Sequence, residues 1–141
     1  MNLSRRKALA VGGAAATATL LPVNFAFATP EAAAELINEF TGGSAEFSDG
    51  VELTAPEIAE NGNTVPVSVA APGAVAIMIV AEQNPRPGVI RFNFTEMTEP
   101  KASTRIRLAT TQNVVAVAKL ADGSFAKTSK TVKVTIGGCG G

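Results

Sequence analysis

The chain has 141 residues and a formal net charge of zero, twelve basic against twelve acidic groups, with no His, no Trp, no Tyr and a single Cys. Without His there is no Ser-His-Asp or Cys-His pair, no imidazole base and no His-held zinc or haem, and one Cys closes no internal disulfide and fills no four-cysteine metal site. Balanced charge leaves no footprint for nucleic acid or an anionic membrane, while 46% apolar residues with 13 Gly and 8 Pro suit one strand-rich globular domain with no cofactor of its own.

Residues 1–28 have the layout of an export signal. Ser4-Arg5-Arg6-Lys7 is followed by an uncharged stretch from Ala8 to Val23 and then by Ala26-Phe27-Ala28, a small-x-small cleavage site. Adjacent arginines before a weakly hydrophobic Ala/Gly/Thr middle resemble a twin-arginine signal, with Leu9 on pattern and Ala8 and Ala10 off it. A retained membrane anchor is the competing reading, since no charge occurs between Lys7 and Glu31; Pro22, Asn24 and the paired Gly12-Gly13 weigh against it. Cleavage after Ala28 leaves 113 residues with nine basic and twelve acidic groups. The mature protein is then mildly acidic, periplasmic and free of the membrane.

A short helix is predicted over 29–43. Thr29 is its N-cap, Pro30 and Glu31 fill the first turn, Ala33, Leu36, Ile37 and Phe40 form one apolar stripe, and Gly42-Gly43 ends it. From Val51 the period changes to two. The runs starting at Val51, Val65, Ile90, Thr104 and Val132 alternate apolar with polar residues, so each has a core face and a wet face. The segments Ala74–Ala81 and Val114–Ala118 are apolar on both faces. One face of Ala74–Ala81 belongs to a two-sheet core; the other is expected to be left over on the isolated chain for a partner subunit, unless the N-terminal helix covers it. Turn chemistry falls between the runs at Asn61-Gly62-Asn63, Pro85-Arg86-Pro87-Gly88 and Asp122-Gly123. Seven short strands and one helix predict a mainly β fold: an immunoglobulin-like antiparallel β-sandwich over 44–136.

The chemistry falls to the tail, Gly137-Gly138-Cys139-Gly140-Gly141. Its five residues form a flexible arm with a reach of at most roughly 17 Å, and the only thiol stands on it. A lone thiol in an oxidising compartment is open to an intermolecular disulfide, which would make the chain an exported interaction module. The other reading is a covalent carrier, with sulfur as the natural cargo because a thiolate exchanges sulfane sulfur through S–S bonds without a cofactor. The nearby terminal carboxylate disfavours thiolate, so activation falls to a partner's active site. A C-terminal Gly-Gly thiocarboxylate is a third route, but it requires cytosolic ATP and conflicts with export. Elsewhere Arg105 and Arg107 share a strand face, and Glu57/Glu60 and Glu96/Glu99 make carboxylate pairs without further catalytic company. A solvated face and loop charges are the better readings of these.

The twin-arginine start, the runs Pro56–Val67 and Thr104–Val114, Ala121-Asp122-Gly123-Ser124 and the GGCGG end together resemble the SoxY family, the sulfur-carrier subunits of the bacterial Sox thiosulfate-oxidising system. The resemblance implies a non-catalytic carrier that holds thiosulfate-derived sulfur on Cys139, with Gly137, Gly138, Gly140 and Gly141 as its arm. It also implies a heterodimer with SoxZ, a second β-sandwich that would cross the membrane on this chain's signal. Transient partners would be a haem enzyme that conjugates thiosulfate, a sulfate-releasing hydrolase and a molybdenum–haem sulfane dehydrogenase.

Overall fold

The computed structural model describes residues 29–43 and 45–135. Helix α1 spans Pro30–Thr41, and its ends follow the sequence. The Thr29 hydroxyl accepts the Ala32 N–H at 3.3 Å, and Gly42 closes the helix at φ 68°, a left-handed position that a side chain disfavours. Nine strands follow among the described residues: β1 Glu46–Phe47, β2 Glu52–Thr54, β3 Ile58–Ala59, β4 Val65–Ala70, β5 Ala74–Ala81, β6 Gly88–Asn93, β7 Lys101–Ile106, β8 Gln112–Leu120 and β9 Phe125–Val134.

They build two sheets, one in the order β1-β9-β8-β5-β6 and the other β2-β4-β7. The long ladders are antiparallel, as predicted. Two short pairings run the other way: β1 and β3 lie parallel to opposite ends of β9. Each is two residues long, too short for alternation to show. Ala71-Pro72-Gly73-Ala74 carries the chain from one sheet to the other as a type II turn, with the Ala74 N–H on Ala71 O at 2.9 Å and Gly73 at φ 79°. The Asp122-Gly123 hairpin joins β8 to β9, its Asp122 carboxylate accepting the Ser124 N–H at 2.9 Å and hydroxyl at 2.6 Å. These bonds, the hydroxyl's first, hold that carboxyl below its usual range. Pro66 sits in β4 beyond the last β2 pair at Ser68, where only β7 neighbours the strand, an edge position of the kind that tolerates a proline.

The period-two pattern sorts the side chains. Leu53, Val65, Val67, Val69 and Ile106 of the small sheet face Ile77, Ile79, Val114, Ala116 and Val132 of the large one, all buried. Fully burying a side chain such as Ile77 or Ile79 contributes roughly 1.5–3 kcal/mol. On the opposite face of the large sheet, Met78, Val80, Val115 and Val117 pack under Ala33, Ile37 and Phe40 of α1. The Phe40 ring also meets Phe125 edge-on at 5.7 Å, and the Arg91 guanidinium lies 4.9 Å above it. The second face of Ala74–Ala81 is therefore covered by the helix, a correction to the expectation that it is left over for a partner subunit.

That assignment is testable at Ala33, which is 1% exposed in the contact between α1 and the sheet. Ala33→Asp would bury an unpaired carboxylate, so the helix should undock and the domain should lose roughly 3 kcal/mol. A hydrophobic dye should then bind while the β-sheet circular dichroism persists. Unchanged melting and no dye binding would mean that something other than α1 covers the face.

Candidate functional site

Cys139 and its glycines, Gly137, Gly138, Gly140 and Gly141, lie outside the described residues, as do residues 1–28, where an export signal is expected, and Ile136. What the structure describes is the root from which the arm leaves, at the end of β9. Its backbone is held on both edges. Toward β3, Glu57 O accepts the Lys133 N–H at 2.9 Å and Ala59 O accepts the Thr135 N–H at 3.1 Å. Toward β8, the Thr111 hydroxyl accepts the Val134 N–H at 2.9 Å. Three successive amides are thus fixed, and Thr135 is the last of them. Cys139 stands four residues further on, a span of at most about 14 Å from this point.

Behind the root lies a polar hub built by Asn84 and Gln112. Gln112 is only 3% exposed, and it opens a strand whose centre, Val114–Ala118, is wholly apolar. Its Oε1 accepts the Gln83 N–H at 2.8 Å, and its Nε2 donates to Asn84 Oδ1 at 2.8 Å and to Thr110 O at 3.0 Å. Asn84 completes the set: its Oδ1 also accepts the Ala109 N–H at 3.0 Å, and its Nδ2 donates to Arg107 O at 2.7 Å. The loop after β5 and the loop before β8 are thereby tied together, with every buried side-chain polar atom among the described residues satisfied. Sequence reasoning missed this hub. A glutamine beside an apolar run and an asparagine before Pro85 have no periodic signature, and they become one feature only when the sheet places them side by side.

Asn61-Gly62-Asn63 is the predicted turn, closed by the Asn63 N–H on Asn61 Oδ1 at 3.0 Å. It is also fastened to the sandwich, because Gly62 O accepts the Leu108 N–H at 2.8 Å. Arg105 and Arg107 have exposed side chains with no ion pair among the described residues, in keeping with a solvated face. The carboxylate pairs do not assemble into a site. Glu57 and Glu60 flank β3 beside the root, while Glu96 and Glu99 lie in the β6–β7 loop at the far end of the large sheet. Glu99 instead pairs with Lys101 at 2.6 Å, and this hydrogen bond and charge hold its carboxyl below the usual range. Among the described residues no group of three or more Cys, Asp or Glu could hold a metal ion, and no helix is long and apolar enough to cross a membrane. A depression of about 400 Å3 on the small sheet is lined by Glu52, Thr54, Ser68, Lys101 and Ser103, with no nucleophile set against a base.

The family described as sulfur oxidation protein SoxY matches residues 37–139. Among solved structures, the sulfur carrier protein SoxY from Chlorobium limicola is 36% identical, with a TM-score of 0.67 over 77% of this chain and 100% of that one. The superoxide reductase (neelaredoxin) from Ignicoccus hospitalis is 18% identical, with a TM-score of 0.54 over 60% of this chain and 79% of that one; this likeness shows the fold alone. No curated protein matches the chain.

Proposed function

The chain belongs to the SoxY family, sulfur carriers rather than catalysts, and on that premise we propose that it holds thiosulfate-derived sulfur covalently on Cys139 in the periplasm. One observation carries the reading: the family match runs to residue 139, the position of the chain's only thiol, four residues past the last fixed amide of β9. A thiol at that place can leave the domain without disturbing it. It can also enter a cleft that the domain cannot.

The chemistry balances without any redox group in the carrier. The Cys139 thiolate and the sulfane sulfur of thiosulfate form an S–S bond, the thiol proton goes to solvent, and a haem-bearing conjugating partner would carry the two electrons, one at a time, to an external electron acceptor. Water then attacks the sulfonate sulfur in a hydrolase. Sulfate leaves with the former sulfonate and the carrier keeps a persulfide, whose sulfane sulfur is a substrate for a sulfane dehydrogenase. The stable partner in this reading is SoxZ, a second β-sandwich, and the twin-arginine start supports export of the folded pair on one signal.

The test is intact mass of the protein from its native periplasm, before and after thiosulfate and again after a reductant. The expected mature chain begins at Thr29, gains a thiosulfate-derived mass on Cys139 and loses it to the reductant. A Cys139 found only in a protein–protein disulfide would overturn the carrier reading in favour of an interaction module.

A further inference from the structure

The root of the arm contains a side chain in a role that backbone usually performs. In the β8–β9 ladder Gln112 faces Val132, so the rungs nearer the end of β9 would fall on residues 110 and 111, where the chain has already left the sheet. The Thr111 hydroxyl fills the gap. It accepts the Val134 N–H at 2.9 Å and donates to Val134 O at 3.4 Å, the same pair of bonds that a neighbouring strand offers to one residue. Thr111 is itself exposed, with no packing to fix it. Its place is set by the next residue, since Gln112 is locked into the buried hub with Asn84 and Thr110.

We propose that Thr111 is a positioning residue for the carrier thiol, its hydroxyl keeping β9 closed to Thr135 so that Cys139 swings from a fixed point. The proposal rests on the carrier reading above. Without the hydroxyl, residues 133–135 are held by the two-residue strand β3 alone. Fraying back to Val132, which is fully buried, would lengthen the tether to Cys139 from four residues to seven. Effective concentration falls with roughly the −3/2 power of tether length, so the thiol would be about 2.3-fold more dilute in a docked partner's active site. Docking of the domain would be unchanged.

Thr111→Val is nearly isosteric and removes only the hydroxyl, while Thr111→Ser retains it. In the complete heterodimer, the expected result for the valine variant has two parts. Amide hydrogen exchange at Val134 speeds at least about tenfold, and thiosulfate turnover at saturating carrier falls about twofold with KM unchanged. Alkylation of Cys139 by a small reagent stays at the wild-type rate. The serine variant should match wild type in every measurement. Faster Val134 exchange with wild-type turnover would overturn the positioning role, and so would unchanged exchange. A wild-type protein that takes up no thiosulfate-derived mass would overturn the carrier reading, and this proposal with it.

Discussion

Cys139→Ser is expected to remove thiosulfate turnover by the reconstituted partner enzymes completely, and to leave the melting curve where it was. Both halves follow from the position of the residue. The chain has one thiol, and a serine hydroxyl neither ionises near neutral pH nor forms the S–S bond on which the cargo travels. Among the described residues, in turn, the two core clusters are built from residues 33–134, before the tail begins. The expected change in stability is therefore within about 0.5 kcal/mol, as for a surface substitution away from any special feature. Intact mass should show no adduct on the serine variant under conditions that load the wild type. An adduct on the variant would place the cargo elsewhere, and the terminal carboxylate would be the first position to inspect. Deleting Gly141 distinguishes that case, because a thiocarboxylate route requires the native terminus and a thiol route does not.

Much of this architecture is legible in the sequence because it depends on local patterns. Thr29, Pro30 and Gly42 mark the helix ends through their own backbone chemistry, and Ala74–Ala81 is observed over the predicted residues. Alternation also shows that β5 has two apolar faces. It cannot show what covers the second, because a helix on the same chain and a strand from another subunit satisfy the same pattern. The packing of Ala33, Ile37 and Phe40 on Met78 and Val117 decides for the helix, and that is a tertiary fact. The two-residue strands β1 and β3 escape for a different reason: they exist only because β9 offers its outer edge, and neither Glu46–Phe47 nor Ile58–Ala59 is long enough to announce itself. The candidate site divides in the same way. Cys139 is conspicuous by composition alone, whereas Thr111, Asn84 and Gln112 acquire meaning only when β8 brings them to the end of β9.

Gly138→Val and Gly140→Val are each expected to lower turnover of thiosulfate by at least about tenfold, although in the carrier reading neither residue touches the chemistry. If the sulfur must enter a partner's cleft, the residues beside it must be thin and must take whatever backbone angles that cleft imposes. Glycine meets both demands, with no Cβ and access to positive as well as negative φ. Valine meets neither, because its branched Cβ adds bulk beside the sulfur and narrows the backbone and side-chain choices. A tenfold loss corresponds to roughly 1.4 kcal/mol of transition-state access, a modest demand on two methyl groups placed in a narrow channel. The thiol itself should be unaffected, so the rate of alkylation by a small reagent serves as the internal control. This separates entry from reactivity: a general loss of thiol reactivity would slow both reactions, while a channel constraint slows only the enzymatic one. The contrast with Thr111→Val is also informative, because lengthening the tether dilutes the thiol about twofold without thickening it. If both valine variants turn over normally with every partner enzyme, the glycines are not there for entry, and the arm is a tether and nothing more.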